Sequence, residues 1–162
     1  MTWDYDVSKA RVEQHLDTMG EIEIKRLVRG MDLGNLSETR CRLIEGSHTY
    51  AEIRNLGTLV DDGTDTRRRE VIQATHIWQR EVDTIVGAVG AQRIHFQGGR
   101  VHVLNYAPFN DAAEIVARAI ILQLILDRFD NVFSAEFSTL PDVSVRSASD
   151  FGETVATRNG NH

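Results

Sequence analysis

Tyr50 and Glu52 lie two residues apart in Thr49-Tyr50-Ala51-Glu52-Ile53, a run that reads as a strand. Alternation along a strand sends both side chains to one side of it. Glu52 is then either a metal ligand at a strand end or an ordinary glutamate at its edge. Tyr50 is either the flank of a bound ring or a core tyrosine with a satisfied hydroxyl. Arg100 directly follows Gly98-Gly99, and a cation beside a tight turn is suited to a phosphate contact. His95 and His102 flank the same two glycines. Two histidines without a third ligand nearby do not define a zinc site, so they read as polar residues on the open face of a sheet.

Other clusters carry less chemistry. Arg67-Arg68-Arg69-Glu70 opens a helix, where cations oppose the dipole, and reads as a solvated face. Asp61, Asp62 and Asp65 lack the spacing of a calcium loop and read as turn and cap residues. Asp150, two residues before Gly152, reads as hairpin chemistry. Trp3, Trp78 and Phe96 read as core or interface residues. Cys41 is the only cysteine, which excludes an intrachain disulfide and a cysteine-rich zinc site. A formal charge of −6 argues against general affinity for a nucleic acid backbone but leaves room for a nucleotide held by local cations or metal. The chain has no apolar run long enough to span a membrane and begins unlike a signal peptide. Together these features point to a cytoplasmic protein with neither nucleic acid nor membrane as partner.

With 162 residues, 41% of them hydrophobic, the chain suits one core. Apolar spacing predicts a helix over residues 7–28, capped by Ser8 and interrupted near Gly20, followed by a linker over residues 30–36. A strand over residues 49–53 and a turn over 57–65 precede a long helix over 66–89. Arg93-Ile94-His95-Phe96-Gln97 and Arg100-Val101-His102-Val103-Leu104-Asn105 around Gly98-Gly99 form a strong hairpin signal. Pro108 ends it, and Asp111 caps a helix to about residue 129. Strands over 143–148 and 153–157, joined by a tight turn at Asp150 and Gly152, complete the series. With the first helix set aside, the order is β-α-β-β-α-β, an α+β ferredoxin-like sheet with helices on one face.

Three of these stretches, in order and at these separations, resemble class III nucleotidyl cyclases. Tyr50-Ala51-Glu52-Ile53 is similar to the end of that family's first strand, and His95-Phe96-Gln97-Gly98-Gly99-Arg100-Val101-His102 to its second hairpin. Val143-Ser144-Val145-Arg146-Ser147-Ala148-Ser149-Asp150-Phe151-Gly152 is similar to a strand ending in a small residue and glycine before a return strand. The lead Asp4-Tyr5-Asp6 through Ile22-Glu23-Ile24 and the closing Ala156-Thr157-Arg158-Asn159-Gly160 look like the bacterial pyrimidine cyclases of antiphage signalling.

The resemblance implies an extension over residues 1–38 and a cyclase homology domain over 39–162. It implies closure of a nucleoside triphosphate, UTP before CTP, to its 3′,5′-cyclic monophosphate and pyrophosphate by a homodimer whose sites are shared between subunits. It assigns the metal to Glu52 and Ile53 and the substrate to Tyr50, Asn55 and Arg100, with Asn55 at the strand end where phosphates meet backbone amides. The catalytic residues stay unassigned. Two departures stand out. Glu52 replaces the usual aspartate and reaches farther by one methylene, about 1.5 Å, which favours manganese over magnesium. The hairpin tip, Gly98-Gly99, lacks the usual second carboxylate. The chain is also expected to stop before the family's arginine-bearing hairpin and asparagine-bearing helix. The alternative expectation is a non-catalytic cyclase-fold module that binds nucleotide or regulates a partner.

Overall fold

The computed structural model describes residues 3–28, 33–34, 36–61, 63–107 and 111–158. Asp62, Pro108, the closing residues 159–162 and part of the expected linker lie outside them. The chain divides into two compact units, one of Glu45–Thr154 and one of Met1–Ile44 with Val155–His162.

In the larger unit, alternating chain builds the sheet and two amphipathic helices cover one face of it. The strands are β2 (Arg40–Ile53) from Glu45 onward, β3 (Gln92–Gln97), β4 (Arg100–Tyr106) and β5 (Val145–Ala156) as far as Thr154. The order runs β5-β2-β4-β3, with β2 and β4 antiparallel and β3 and β4 a hairpin. The hairpin turn is Gly98-Gly99, as its sequence predicts. Gly98 adopts φ +60°, a left-handed conformation that glycine reaches without a Cβ penalty. Long helix α3 (Asp65–Ala88) begins at Thr64, whose side chain accepts the Arg67 N–H. α4 (Ala112–Glu136) begins at Asp111, which accepts the Glu114 N–H. Ala51, Ile53, Val101 and Val103 from the sheet pack with Trp78 and Val82 of α3 and Leu122, Leu126 and Phe133 of α4. The β-α-β-β-α-β order therefore stands.

Three expectations need correction in this unit. Residues 57–65 are not all turn, because Leu56–Asp61 forms the short helix α2, entered through Asn55 at φ +61°. Its first bond runs from the Leu59 N–H to the Asn55 carbonyl. α4 continues past residue 129 because Phe129, Phe133 and Phe137 keep the apolar spacing going. The turn at Asp150 and Gly152 does not form. β5 runs unbroken through both residues, since pairing with β2 supplies a ladder that local turn propensity does not outweigh, and Asp150 Oδ1 accepts the Phe151 N–H.

In the smaller unit, α1 (Tyr5–Thr18) is capped by Asp4, which accepts the Val7 N–H, and not by Ser8. Beyond Gly20 the chain turns extended as β1 (Glu23–Arg26), parallel to Arg40–Leu43 of β2. Helical spacing alone cannot distinguish Ile24 in a helix from the same residue in a strand, whereas the partner strand decides it. Leu27, Cys41 and Ile44 are buried here, while no residue of α1 is. Among the described residues no helix is long and apolar enough to cross a membrane.

Candidate functional site

Ala51 and Ile53 point into the core, so alternation sends Tyr50 and Glu52 to the opposite, helix-free face of β2. Strand pairing then determines their neighbours. In the β2–β4 register Glu52 stands opposite Arg100 and Tyr50 opposite His102. On the other side of β2 lies β5, which brings up Arg146.

Glu52 is held from both sides. Arg100 Nε lies 2.5 Å from Oε2, and Arg146 Nε lies 2.5 Å from Oε1 with Nη2 also in contact. The Glu52 side chain is only 16% exposed, whereas the two arginines are 68% and 65% exposed. Burial by itself raises the carboxyl pKa. The hydrogen bonds and charges of Arg146 and Arg100 outweigh it and leave Glu52 below its ordinary value. These three side chains line a cavity of about 440 Å³ with Tyr50, Ser147 and Ala148, a volume suited to a small organic ligand. A carboxylate between two forked cations in an open cavity can exchange partners with a polyanion and its metal.

Next to the triad, the Tyr50 ring is stacked on His102, with centroids 4.4 Å apart and planes 9° from parallel. His102 Nε2 lies 2.9 Å from His48 Nδ1, and His95 meets His102 edge-on. Burial lowers the His102 pKa, and the neighbouring His48 and His95 lower it further. Tyr50 remains 56% exposed, so its outer face is free to receive a planar group.

The structure thus brings Tyr50, Glu52 and Arg100 together and adds Arg146, to which sequence reasoning gave no role. The signal was present, since Arg146 occurs in one of the three family-like stretches, but pairing with Glu52 needs the β2–β5 ladder. Asn55 lies at the strand end, where its side-chain amide donates to the Asp142 carbonyl and does not line the cavity. The Ile53 side chain is buried and its N–H donates to the Gly99 carbonyl, so its carbonyl is the only group it could turn to a cation. Among the described residues no three His, Cys, Asp or Glu side chains are grouped to hold a metal ion. The donor set therefore fits a divalent ion that takes one carboxylate and completes its shell with water and substrate phosphates. It does not fit a preformed all-protein cage.

The helix-backed β-α-β-β-α-β sheet, with a carboxylate at the end of β2, has the fold of the class III nucleotidyl cyclases. A solved class III adenylyl cyclase-like ATP-binding protein from Pseudomonas aeruginosa superposes with a TM-score of 0.83, at 27% identity over 99% of this chain and 36% of that one. In sequence the chain is similar to a uridylate cyclase of Pseudomonas aeruginosa, 30% identical over 98% of this chain and 32% of that protein. The adenylyl cyclase CyaB from P. aeruginosa shares the fold, with a TM-score of 0.60 at 15% identity over 75% of this chain and 63% of that one. No protein-family profile matches the chain. It spans about a third of the length of the uridylate cyclase and of the ATP-binding protein.

Proposed function

We propose that the chain is the nucleotide-cyclising domain of a pyrimidine cyclase that converts UTP, and less readily CTP, to the 3′,5′-cyclic monophosphate and pyrophosphate. The observation that carries this reading is the Arg100–Glu52–Arg146 triad in a ligand-sized cavity next to the Tyr50 ring. Similarity to a uridylate cyclase along nearly the whole chain supports UTP. The cyclic product would serve as a messenger in antiphage defence, a role that rests on the resemblance to pyrimidine cyclases. Residues 39–162 form the cyclase homology domain in this reading, with residues 1–38 as its extension, in a cytoplasmic homodimer.

Cyclisation is an in-line attack of the ribose 3′-hydroxyl on the α-phosphorus, in which charge on the phosphate oxygens must be shared. Arg100 and Arg146 offer exposed guanidiniums for the β- and γ-phosphate oxygens, binding bidentately where the geometry allows. Tyr50, braced by His102, offers a flat surface to the base. Asn55 would meet the phosphates only after releasing Asp142. Glu52, with the Ile53 carbonyl, would hold the divalent ion, manganese in preference to magnesium. When bound, that ion supplies Lewis-acid stabilisation of the phosphate charge.

A second reading is a non-catalytic nucleotide-binding module. The match to an adenylyl cyclase-like ATP-binding protein and the carboxylate-free Gly98-Gly99 tip favour it. Incubating the chain, and the longest reading frame that contains it, with each of the four nucleoside triphosphates and manganese or magnesium separates the two. A cyclic pyrimidine monophosphate identified by mass is the expected product. Folded, nucleotide-binding protein that yields no cyclic product with any triphosphate would establish the second reading.

A further inference from the structure

Both oxygens of Glu52 are engaged, one by each arginine, and one carboxylate cannot neutralise two guanidiniums. The site therefore presents one negative and two positive charges, with the negative one the most enclosed. A free divalent cation approaching Glu52 meets two cations already on its ligand, and among the described residues no group of three or more His, Cys, Asp or Glu side chains stands ready to hold it. A free triphosphate meets two guanidiniums whose inner donors point at a carboxylate 2.5 Å away. Each ligand alone must break the same ion pairs, and the energy needed is recovered only when both arrive.

Resting on the reading of the cavity as a triphosphate site, we infer that Glu52, Arg100 and Arg146 form an exchange switch: the triad locks the empty site and admits metal and triphosphate only as a pair. On entry the arginines pass from Glu52 to the phosphate oxygens, and the freed carboxylate passes to the metal. Every charge then has a new partner, so the exchange leaves no buried ion uncompensated. Metal and triphosphate thus bind with positive coupling through this one residue, and either alone binds weakly.

The switch makes a prediction that a plain metal-ligand role for Glu52 does not. With metal chelated, Glu52→Gln releases both arginines and strengthens anion binding by more than the loss of the carboxylate's own repulsion. That repulsion is read from the same substitution in an Arg100→Ala, Arg146→Ala background, and equal strengthening in the two backgrounds overturns the switch. The probe is inorganic tripolyphosphate, titrated by calorimetry with chelator present into the wild-type chain and into Glu52→Gln, Arg100→Ala and Arg146→Ala. The expected result is binding at least about tenfold tighter to Glu52→Gln than to wild type, about 1.4 kcal/mol, and weaker binding to both arginine variants. Unchanged or weaker binding to Glu52→Gln, with the arginine variants still impaired, overturns the switch and leaves the triphosphate site standing. If no variant alters tripolyphosphate binding, the triphosphate site itself is wrong and the switch falls with it.

A measurement on the wild-type chain serves should Glu52→Gln misfold. The Arg100 and Arg146 Nε–H resonances should move when magnesium and tripolyphosphate are added together and stay in place with magnesium alone. Movement with magnesium alone would overturn the switch.

Discussion

Glu52 reaches about 1.5 Å farther from its backbone than an aspartate would, and the two flanking arginines lie where that extra reach places the carboxylate. Magnesium demands near-ideal octahedral geometry at short distances, while manganese tolerates a displaced ligand better. If the chain cyclises UTP as proposed, Glu52→Asp should therefore raise the magnesium-supported rate relative to the manganese-supported one. Initial rates in each metal check this, and an unchanged ratio would remove side-chain length as the basis of metal choice. Tyr50, Glu52 and Arg100 stood out as candidates from type and position, took their assigned roles from the family resemblance, and are brought together by the β2–β4 register. Arg146 and His48 did not stand out, because their partners lie 94 and 54 residues away along the chain and meet them only through strand pairing.

At the scale of elements, the register between β2 and β4 sets the site, and Gly46 helps to hold it. Gly46 pairs with Tyr106, and a Cβ there would come 2.8 Å from Leu104 Cδ1 and 3.0 Å from the Asn105 carbonyl oxygen. The leucine methyl can swing away, but the backbone oxygen cannot. Gly46→Ala should destabilise the fold by about 1–3 kcal/mol, read as a lower urea midpoint with an unchanged slope. An unchanged midpoint would show that the two strands separate there without cost. The hairpin, α3 and α4 were legible because each carries local punctuation, Gly98-Gly99, Thr64 and Asp111, beside a clear apolar period. β1 and the unbroken β5 were not, because each is defined by the strand next to it, against the helical spacing read through residue 28 and the turn signal at Asp150 and Gly152.

At the scale of the whole molecule, His102 ties stability to pH. Its folded pKa lies below 6.5, first through burial and then through His48 and His95, so below that pH the unfolded chain binds more protons than the folded one. Stability should be level above pH 6.5 and fall as the pH drops below it, until His102 protonates in the folded state as well. Glu52, also held low, adds a loss only below about its ordinary 4.5. Thermal melts from pH 7.5 to 5 should show the decline, and His102→Gln should flatten it. An equal decline in that variant would assign the effect to other groups.

By itself the sequence determined the order of most elements, the hairpin, the two capped core helices and the candidate pair Tyr50 and Glu52. Those features depend on neighbours a few residues apart, where steric preference and apolar period act directly. Tertiary structure alone decided that residues 23–26 are a strand, that β5 passes straight through Asp150 and Gly152, and that Glu52 lies between two arginines. Such outcomes depend on ladder hydrogen bonds and ion pairs between distant segments, whose energies arise only once the sheet has brought those segments together.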